Sequence, residues 1–111
     1  SSKLVAKRDL FDRYQSAFAD VKGVELFVQP ENCQSNYWLQ TLLLDENQSE
    51  NRDLVLEATN AAGIMTRPAW VLMNELTPFR GSPCADLTTA QSLSRRIINI
   101  PSSPNLMLGI S

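Results

Sequence analysis

The chain has 111 residues, of which 43% are hydrophobic and 20% are charged, so it is long enough for one globular domain with its own core. Ten basic and twelve acidic residues give a formal net charge of −2, which provides no field to attract nucleic acid or an anionic membrane. The chain contains no histidine, which excludes Ser-His-Asp triads, Cys-His dyads and histidine-ligated metal sites within it.

The first predicted element is an amphipathic helix over residues 3–21, which Gly23 ends. A short β-favouring segment at 24–28 predicts a strand after it. The run at 37–44 predicts a central strand with both faces largely covered, because it is too apolar for an exposed edge. The apolar stripe of the helix consists of Leu4, Phe11, Tyr14, Phe18 and Val21.

A second helix is predicted over residues 50–62, with Gly63 placed as the left-handed residue that ends it. Residues 64–67 predict a short strand that Pro68 ends. Residues 69–83 have no clean period, which is typical of a functional or interface loop. The inward face of the second helix is predicted to be Leu54, Val55, Ala58, Ala61 and Ala62.

Either Asp86 or Thr88 can cap a third predicted helix, and Thr88-x-x-Gln91 fits a capping box. Residues 98–101 predict a last short strand, and residues 105–111 are too short for an independent element. This order predicts an α+β fold, an α/β sandwich in which about three helices pack against a small mixed sheet. One stripe of the third helix contains Leu87, Ala90, Leu93 and Ile97.

The two cysteines, Cys33 and Cys84, form no metal-binding or redox motif. We expect two reduced thiols, as in a cytosolic protein, and the alternative is a Cys33–Cys84 bridge. The longest apolar runs are far shorter than the ~20 residues of a membrane-spanning helix. No membrane span is therefore predicted.

A first candidate site lies at Asn36 and Tyr37, which lead into the predicted central strand. An amide and a phenol at the start of a strand can present polar groups to a ligand at the sheet edge. The alternative is that Tyr37 and Trp38 are ordinary packing aromatics, since such residues favour strands.

A second candidate site lies at Arg67 and Trp70. Pro68 restricts the backbone of Arg67, and an indole three positions later suits recognition of a phosphate or carboxylate beside a stacked ring. The alternative is a solvated arginine and a packing tryptophan.

No residue of the chain is a convincing nucleophile. The four glycines are scattered singly, so no glycine-rich phosphate loop is present. Lys3, Lys7 and Lys22 lie on or beside the first helix, and we expect none to have the depressed pKa that Schiff-base chemistry needs. Arg95 and Arg96 end the third helix, where cations stabilise the helix dipole. The chain by itself is not expected to be an enzyme.

Three blocks carry a resemblance to a known family: Gln-Ser-Asn-Tyr-Trp-Leu-Gln-Thr at 34–41, Gly-Ile-Met-Thr-Arg-Pro-Ala-Trp at 63–70, and Arg-Arg-Ile-Ile-Asn-Ile-Pro-Ser-Ser-Pro at 95–104. With them the chain resembles the C-terminal part of the DegT/DnrJ/EryC1/StrS nucleotide-sugar aminotransferases, which are pyridoxal-phosphate enzymes. The likeness is greatest to the LegC-type branch, which acts on UDP-linked 4-keto sugars.

The resemblance implies that residues 1–111 are the single small C-terminal domain of a fold-type I aminotransferase, without its larger N-terminal domain. The full-length enzyme would be a cytoplasmic homodimer that uses pyridoxal phosphate to transfer an amino group, from glutamate, to a nucleotide-linked keto sugar for cell-surface polysaccharide. The Schiff-base lysine would lie outside this chain. The resemblance thus assigns no catalytic residue here, and the chain alone is expected to bind neither cofactor nor metal and to be inactive.

The resemblance also implies four substrate-side residues, Asn36, Tyr37, Arg67 and Trp70. One departure concerns Asn74, because the family commonly has a histidine a few residues after the Arg-Pro-x-Trp segment. Asparagine can donate and accept hydrogen bonds but cannot titrate near neutral pH. We expect Asn74 to shape the pocket.

Two other interpretations of the chain remain open. One is a stand-alone α+β binding or interaction module that uses residues 69–79 as its partner surface. The other is a single-stranded nucleic-acid binder of the sheet-platform type, which the acidic balance disfavours. An open reading frame extending a few hundred residues upstream would favour the aminotransferase.

Overall fold

The structure is a computed structural model and describes residues 2–108. The elements in chain order are α1 (Ser2–Phe18), β1 (Val24–Leu26), β2 (Gln40–Leu44), α2 (Arg52–Ala61), β3 (Arg67–Pro68), α3 (Thr88–Arg96), β4 (Ile97–Ile100) and α4 (Asn105–Leu108). Three short 3₁₀ segments lie at Glu46–Asn51, Met73–Glu75 and Thr77–Phe79. Within residues 2–108, no helix is both long enough and apolar enough to cross a membrane.

The four strands form one sheet in the order β1-β2-β4-β3. The predicted α+β fold is confirmed, but the mixed sheet is wrong, because all three strand pairs are antiparallel. The apolar pattern of a strand indicates which face is buried and carries no information about direction. An antiparallel sheet can also leave one face uncovered, which a parallel sheet does not.

The core lies on one face of this sheet. Along β2 the buried and half-buried residues alternate, and β4 shows the same alternation. Phe11 of α1 belongs to the buried cluster, and Val55 and Leu56 of α2 pack against it, so α1 and α2 cover the same face. The prediction that both faces of β2 are largely covered is met on the core face, while Thr41 and Leu43 on the other face are half-buried. The buried cluster contains Phe11, Leu26, Tyr37, Leu42, Leu44, Ile98 and Ile100.

Helix α2 is present as predicted but rotated about its axis. Val55 and Leu56 face the core, whereas Leu54 is 62% exposed. The hydroxyl of Thr59, one turn further on, meets the hydroxyl of buried Thr66 at 2.6 Å, which fixes the rotation. Ala58, Ala61 and Ala62, which were predicted to face inward, are also exposed.

Gly63 ends α2 as predicted, with a φ of +84°. Its N–H donates to the carbonyl of Asn60, and the N–H of Ile64 donates to the carbonyl of Thr59. This pair of bonds is a Schellman motif, in which the residue after the helix must be left-handed.

Several other boundaries differ from the prediction: α1 ends at Phe18 rather than at residue 21, and β1 ends at Leu26 rather than at residue 28. The strand predicted at 64–67 consists of Arg67–Pro68 only, and Pro68 lies within it because an edge strand tolerates a missing N–H. Asp86 rather than Thr88 accepts the hydrogen bonds at the start of α3, so no capping box forms. The segment expected to be too short forms α4, which packs against α1. The rest of that segment, residues 109–111, lies outside the described residues.

Candidate functional site

The first candidate site is a tight turn that ends in a left-handed Tyr37, whose φ is +52°. The Ser35 hydroxyl accepts the Tyr37 N–H, and the Asn36 side-chain oxygen accepts the Trp38 N–H, each at 2.9 Å. A bulky residue at positive φ costs about 1–3 kcal/mol and persists only where its surroundings hold it. The turn also explains why β2 begins at Gln40 and not at Tyr37, as was predicted.

Lys7 of α1 stabilises this turn by hydrogen bonds. Its Nζ donates to the carbonyl oxygens of Tyr37 at 3.3 Å, Trp38 at 3.4 Å and Ser102 at 2.8 Å. The Ser102 hydroxyl donates to the same Trp38 oxygen at 2.8 Å. Burial lowers the pKa of Lys7 from its ordinary value. Its three donors are nevertheless all occupied, so it is not a nucleophile.

The turn places its side chains on opposite sides. The ring of Tyr37 is buried and stacks on Phe11 with a centroid distance of 4.5 Å, and burial raises the pKa of its phenol. Asn36 and Trp38 are exposed. Packing therefore accounts for Tyr37, while Asn36 offers its amide nitrogen to solvent because its oxygen serves the turn.

A cavity of about 200 Å³ lies beside this turn and is lined by Ser35, Tyr37 and Gln40, among others. Gln40 is 2% exposed, and its Nε2 donates to the Lys7 carbonyl at 3.2 Å. Within residues 2–108 the Gln40 Oε1 has no hydrogen-bond partner. The turn thus combines fixed polar atoms with a small adjoining space.

The second candidate site is a larger cavity of about 460 Å³ beside Trp70. Trp70 is 82% exposed, and Arg52 and Arg95 line the same cavity, together with Glu75 and Gln91. An exposed indole near two guanidinium groups can stack an aromatic ring and bind an anion. The packing interpretation of Trp70 is therefore not supported.

Arg67, which the sequence paired with Trp70, does not line this cavity. Its Nη1 donates to the Asn60 side-chain oxygen at 3.0 Å and to the Thr66 carbonyl at 2.8 Å, which holds the guanidinium against the end of α2. Nor does the structure bring all four predicted residues together. The turn precedes β2, Trp70 follows β3, and β4 lies between those two strands.

The sequence reasoning missed Arg52, and it considered Arg95 but assigned it to the helix dipole. Arg52 Nη1 donates to the Ser94 carbonyl at 2.6 Å, and its Nε donates to Asp53 at 2.9 Å, so α2 and α3 are joined at the cavity wall. The signal that could have identified Arg52 is its spacing of three and four residues from Val55 and Leu56, which places all three side chains on one side of α2. Arg95 is exposed, and its position at the end of α3 had been explained by the helix dipole alone.

Asn74 lies in the loop that follows Trp70. It lines a separate, mainly apolar cavity of about 290 Å³ with Phe79 and Cys84. Its side-chain oxygen is buried and has no partner among the residues that the structure describes. Cys33 and Cys84 are both free and exposed, which confirms two thiols, and residues 2–108 contain no acidic or cysteine cluster that could hold a metal ion.

The sequence profile of the DegT/DnrJ/EryC1/StrS aminotransferase family matches residues 2–109. No sequence among the curated proteins matches the chain.

Several solved structures are similar to the chain. DesI, determined in the presence of its TDP-sugar product, has 28% identity and a TM-score of 0.81 over 91% of this chain and 26% of its own. PseC of Helicobacter pylori, an aminotransferase of pseudoaminic acid biosynthesis, has 18% identity and a TM-score of 0.85 over 96% and 29%. Spr1654 of Streptococcus pneumoniae, solved in its PLP form, has 24% identity and a TM-score of 0.78 over 92% and 26%. The chain thus spans between a quarter and a third of each relative's length.

Proposed function

Since the chain belongs to the DegT/DnrJ/EryC1/StrS aminotransferase family, we propose that it is the substrate-side C-terminal domain of a pyridoxal-phosphate-dependent nucleotide-sugar aminotransferase. The family match covers nearly the whole chain, while the chain covers only 26% of DesI. Both facts support a domain of a larger enzyme.

The cavity beside Trp70 is the observation that carries this proposal. The indole of Trp70 is 82% exposed, which packing does not explain. An exposed indole can stack on a nucleobase. Arg52 and Arg95 can then hold the negatively charged diphosphate. DesI, the relative with 28% identity, was determined in the presence of its TDP-sugar product, which agrees with this chemistry.

The turn at Asn36 and Tyr37 lies apart from the cavity beside Trp70, and we propose that it makes a separate contact with the substrate. The Lys7 bonds fix the turn, so the free amide nitrogen of Asn36 has a set position from which to donate to a sugar oxygen. Arg67 is held against α2, and we propose that it supports the loop bearing Trp70. Such orienting groups matter because a displacement of ~1 Å costs about a hundredfold in rate.

The residues of this chain do not fit the cofactor itself. Lys7 uses its ammonium to hold three carbonyl groups, and Lys3 and Lys22 are exposed on the surface. Pyridoxal phosphate, when bound to the enzyme, serves as the electron sink for amino transfer. We therefore assign its binding to a part of the polypeptide outside this chain.

The finer features of the enzyme stay predictions: a keto sugar as acceptor, glutamate as donor, a role in cell-surface polysaccharide, the LegC-like branch, a homodimer and a cytoplasmic location. Asn74 could shape the sugar pocket through its buried oxygen, which lacks a partner within residues 2–108.

The experiment is an amino-transfer assay of the full-length polypeptide with glutamate, pyridoxal phosphate and a nucleotide-linked 4-keto sugar. We expect product with the nucleotide-linked sugar and none with the free sugar. The 111-residue chain, mixed with pyridoxal phosphate, should give no absorbance band of protein-bound cofactor. A band from the chain alone would contradict the assignment of the cofactor to the rest of the polypeptide, and no transfer by the full-length protein would favour the stand-alone binding module.

A further inference from the structure

The cavity beside Trp70 contains one group that the binding of a diphosphate does not explain. Glu75 lines this cavity of about 460 Å³ together with Arg52 and Arg95. Two like charges repel each other, so a carboxylate weakens the binding of phosphates at its own position. In a nucleotide site, Glu75 is therefore suited to the base or the sugar and not to the diphosphate.

The carboxylate of Glu75 is not used within the part of the chain that the structure describes. Glu75 is exposed, and among residues 2–108 its side chain takes part in no hydrogen bond and no ion pair, although two guanidinium groups line the same cavity. Its backbone is held instead. The Glu75 N–H donates to the Leu72 carbonyl at 3.0 Å, and the Glu75 carbonyl accepts from Arg80 Nε at 3.2 Å. The loop thus fixes the backbone of Glu75 and leaves its carboxylate available to a ligand.

The hydrogen-bonding chemistry of a carboxylate distinguishes the four bases. An ionised carboxylate can only accept hydrogen bonds. Guanine presents two adjacent donors, its ring N–H and its amino group, which match the two carboxylate oxygens in a bidentate pair. Uracil and thymine present one N–H between two carbonyl oxygens, which a carboxylate repels. Adenine and cytosine present an amino group beside a ring nitrogen that is itself an acceptor. Guanine is therefore the base that a carboxylate selects.

The remaining polar edge of guanine also has a counterpart in the cavity. Gln91 of α3 lines the same cavity, and its carboxamide can donate to the guanine carbonyl oxygen, which Glu75 cannot do. The indole of Trp70 is 82% exposed and offers a stacking face. The volume of about 460 Å³ lies within the range of about 300–1,000 Å³ that is typical of small-molecule sites.

We propose that the cavity beside Trp70 selects a sugar linked to guanosine diphosphate, and that Glu75 is the residue that determines the base. This inference rests on the proposed function, because it takes the diphosphate and the sugar from it. It departs from the resemblance to the LegC-type branch, which implies a UDP-linked sugar.

The test is calorimetric titration of the full-length polypeptide with GDP, UDP and TDP. We expect GDP to bind about 5- to 150-fold more tightly than UDP and TDP, which is the discrimination that one bidentate pair supplies. Glu75→Gln should remove most of this preference by weakening the binding of GDP alone, because the amide sets an N–H against a guanine donor. Glu57→Gln is the matched control, since Glu57 is exposed on α2 and does not line the cavity.

Equal affinities for the three nucleotides, or a GDP preference that survives Glu75→Gln, would overturn the proposal. A loss of GDP and UDP affinity alike in Glu75→Gln would also overturn it, since a base-reading residue affects GDP alone. Amino transfer is assayed separately with GDP-linked and UDP-linked forms of the same 4-keto sugar. A higher kcat/KM for the UDP-linked sugar would refute this inference and leave the proposed function intact. Selective binding of GDP without transfer to either sugar would refute the proposed function and leave the choice of base intact.

Discussion

The ammonium of Lys7 lies 2.8 Å from the carbonyl oxygen of Ser102, although the two residues are 95 positions apart in the sequence. The same ammonium holds the carbonyls of Tyr37 and Trp38, so one side chain joins α1, the left-handed turn and the segment after β4. The turn that bears Asn36 is therefore fixed by a contact from outside its own segment.

Replacing Lys7 by Met removes three hydrogen bonds while it keeps most of the aliphatic stem. We expect a loss of about 1–3 kcal/mol in the free energy of unfolding, because three carbonyl groups lose a charged donor. Chemical denaturation of the 111-residue chain measures this. Lys3→Met, on the exposed start of the same helix, should change stability by less than about 0.5 kcal/mol. Equal effects of the two substitutions would contradict the role of Lys7.

The two tyrosines should ionise at higher pH in the folded chain than in the unfolded chain. Burial raises the pKa of Tyr14 and of Tyr37 above the ordinary value of 10.0. The resulting stability is fully present below pH 10 and is lost as the pH rises through the folded-state pKa values. Tyrosinate absorbance should therefore appear at higher pH in the native chain than in denaturant. Superimposable titration curves would refute this, and Tyr14→Phe isolates the signal of Tyr37.

The start of α3 should weaken in acid. Hydrogen bonds from the Thr88 hydroxyl, and next from its backbone N–H, lower the pKa of Asp86 below its ordinary value of 3.8. This stabilisation is present above pH 3.8 and is lost as the pH falls through the lower, folded-state pKa. Amide exchange at Thr88 and Thr89 should rise there, whereas in Asp86→Ala it should already be fast at pH 7. An unchanged exchange rate in Asp86→Ala would exclude the cap.

Gly63 should resist substitution because of its backbone alone. Its φ is +84°, and a Cβ there would meet no atom within 4 Å. We expect Gly63→Ala to cost about 1–2 kcal/mol from strain without crowding. Gly63→Asn should cost less, since asparagine tolerates the left-handed region. A cost for Asn equal to that for Ala, measured by thermal unfolding, would argue against backbone strain as the cause.

The sequence was sufficient where the signal is local. Gly63 ends α2 as predicted, because a left-handed C′ residue depends only on its neighbours. The rotation of α2 was not predicted, because Leu54 and Leu56 are equally apolar and the two faces are distinguished by tertiary contacts such as that of Thr59 with Thr66. The antiparallel direction of the strands was also not predicted. Strand direction depends on the path of the chain between strands, which the local apolar pattern does not contain.

The candidate site was predictable only in part. Trp70 was found because an arginine, a proline and an aromatic residue stand close in sequence. The partners that share its cavity, Arg52 and Arg95, come from α2 and α3, so no motif around Trp70 could identify them. Arg67 was paired with Trp70 by proximity, but its bond to Asn60 holds it elsewhere.

The most direct test of the central claim is steady-state and half-reaction kinetics of Trp70→Ala in the full-length enzyme. Loss of one stacked base costs about 1–3 kcal/mol, so KM for the nucleotide-linked sugar should rise about 5- to 150-fold. Trp70→Phe, which keeps a ring, should restore most of it. The cofactor absorbance and the half-reaction with the amino donor should not change. An unchanged KM for the sugar, together with a lost cofactor band, would show that this surface serves the cofactor and not the substrate.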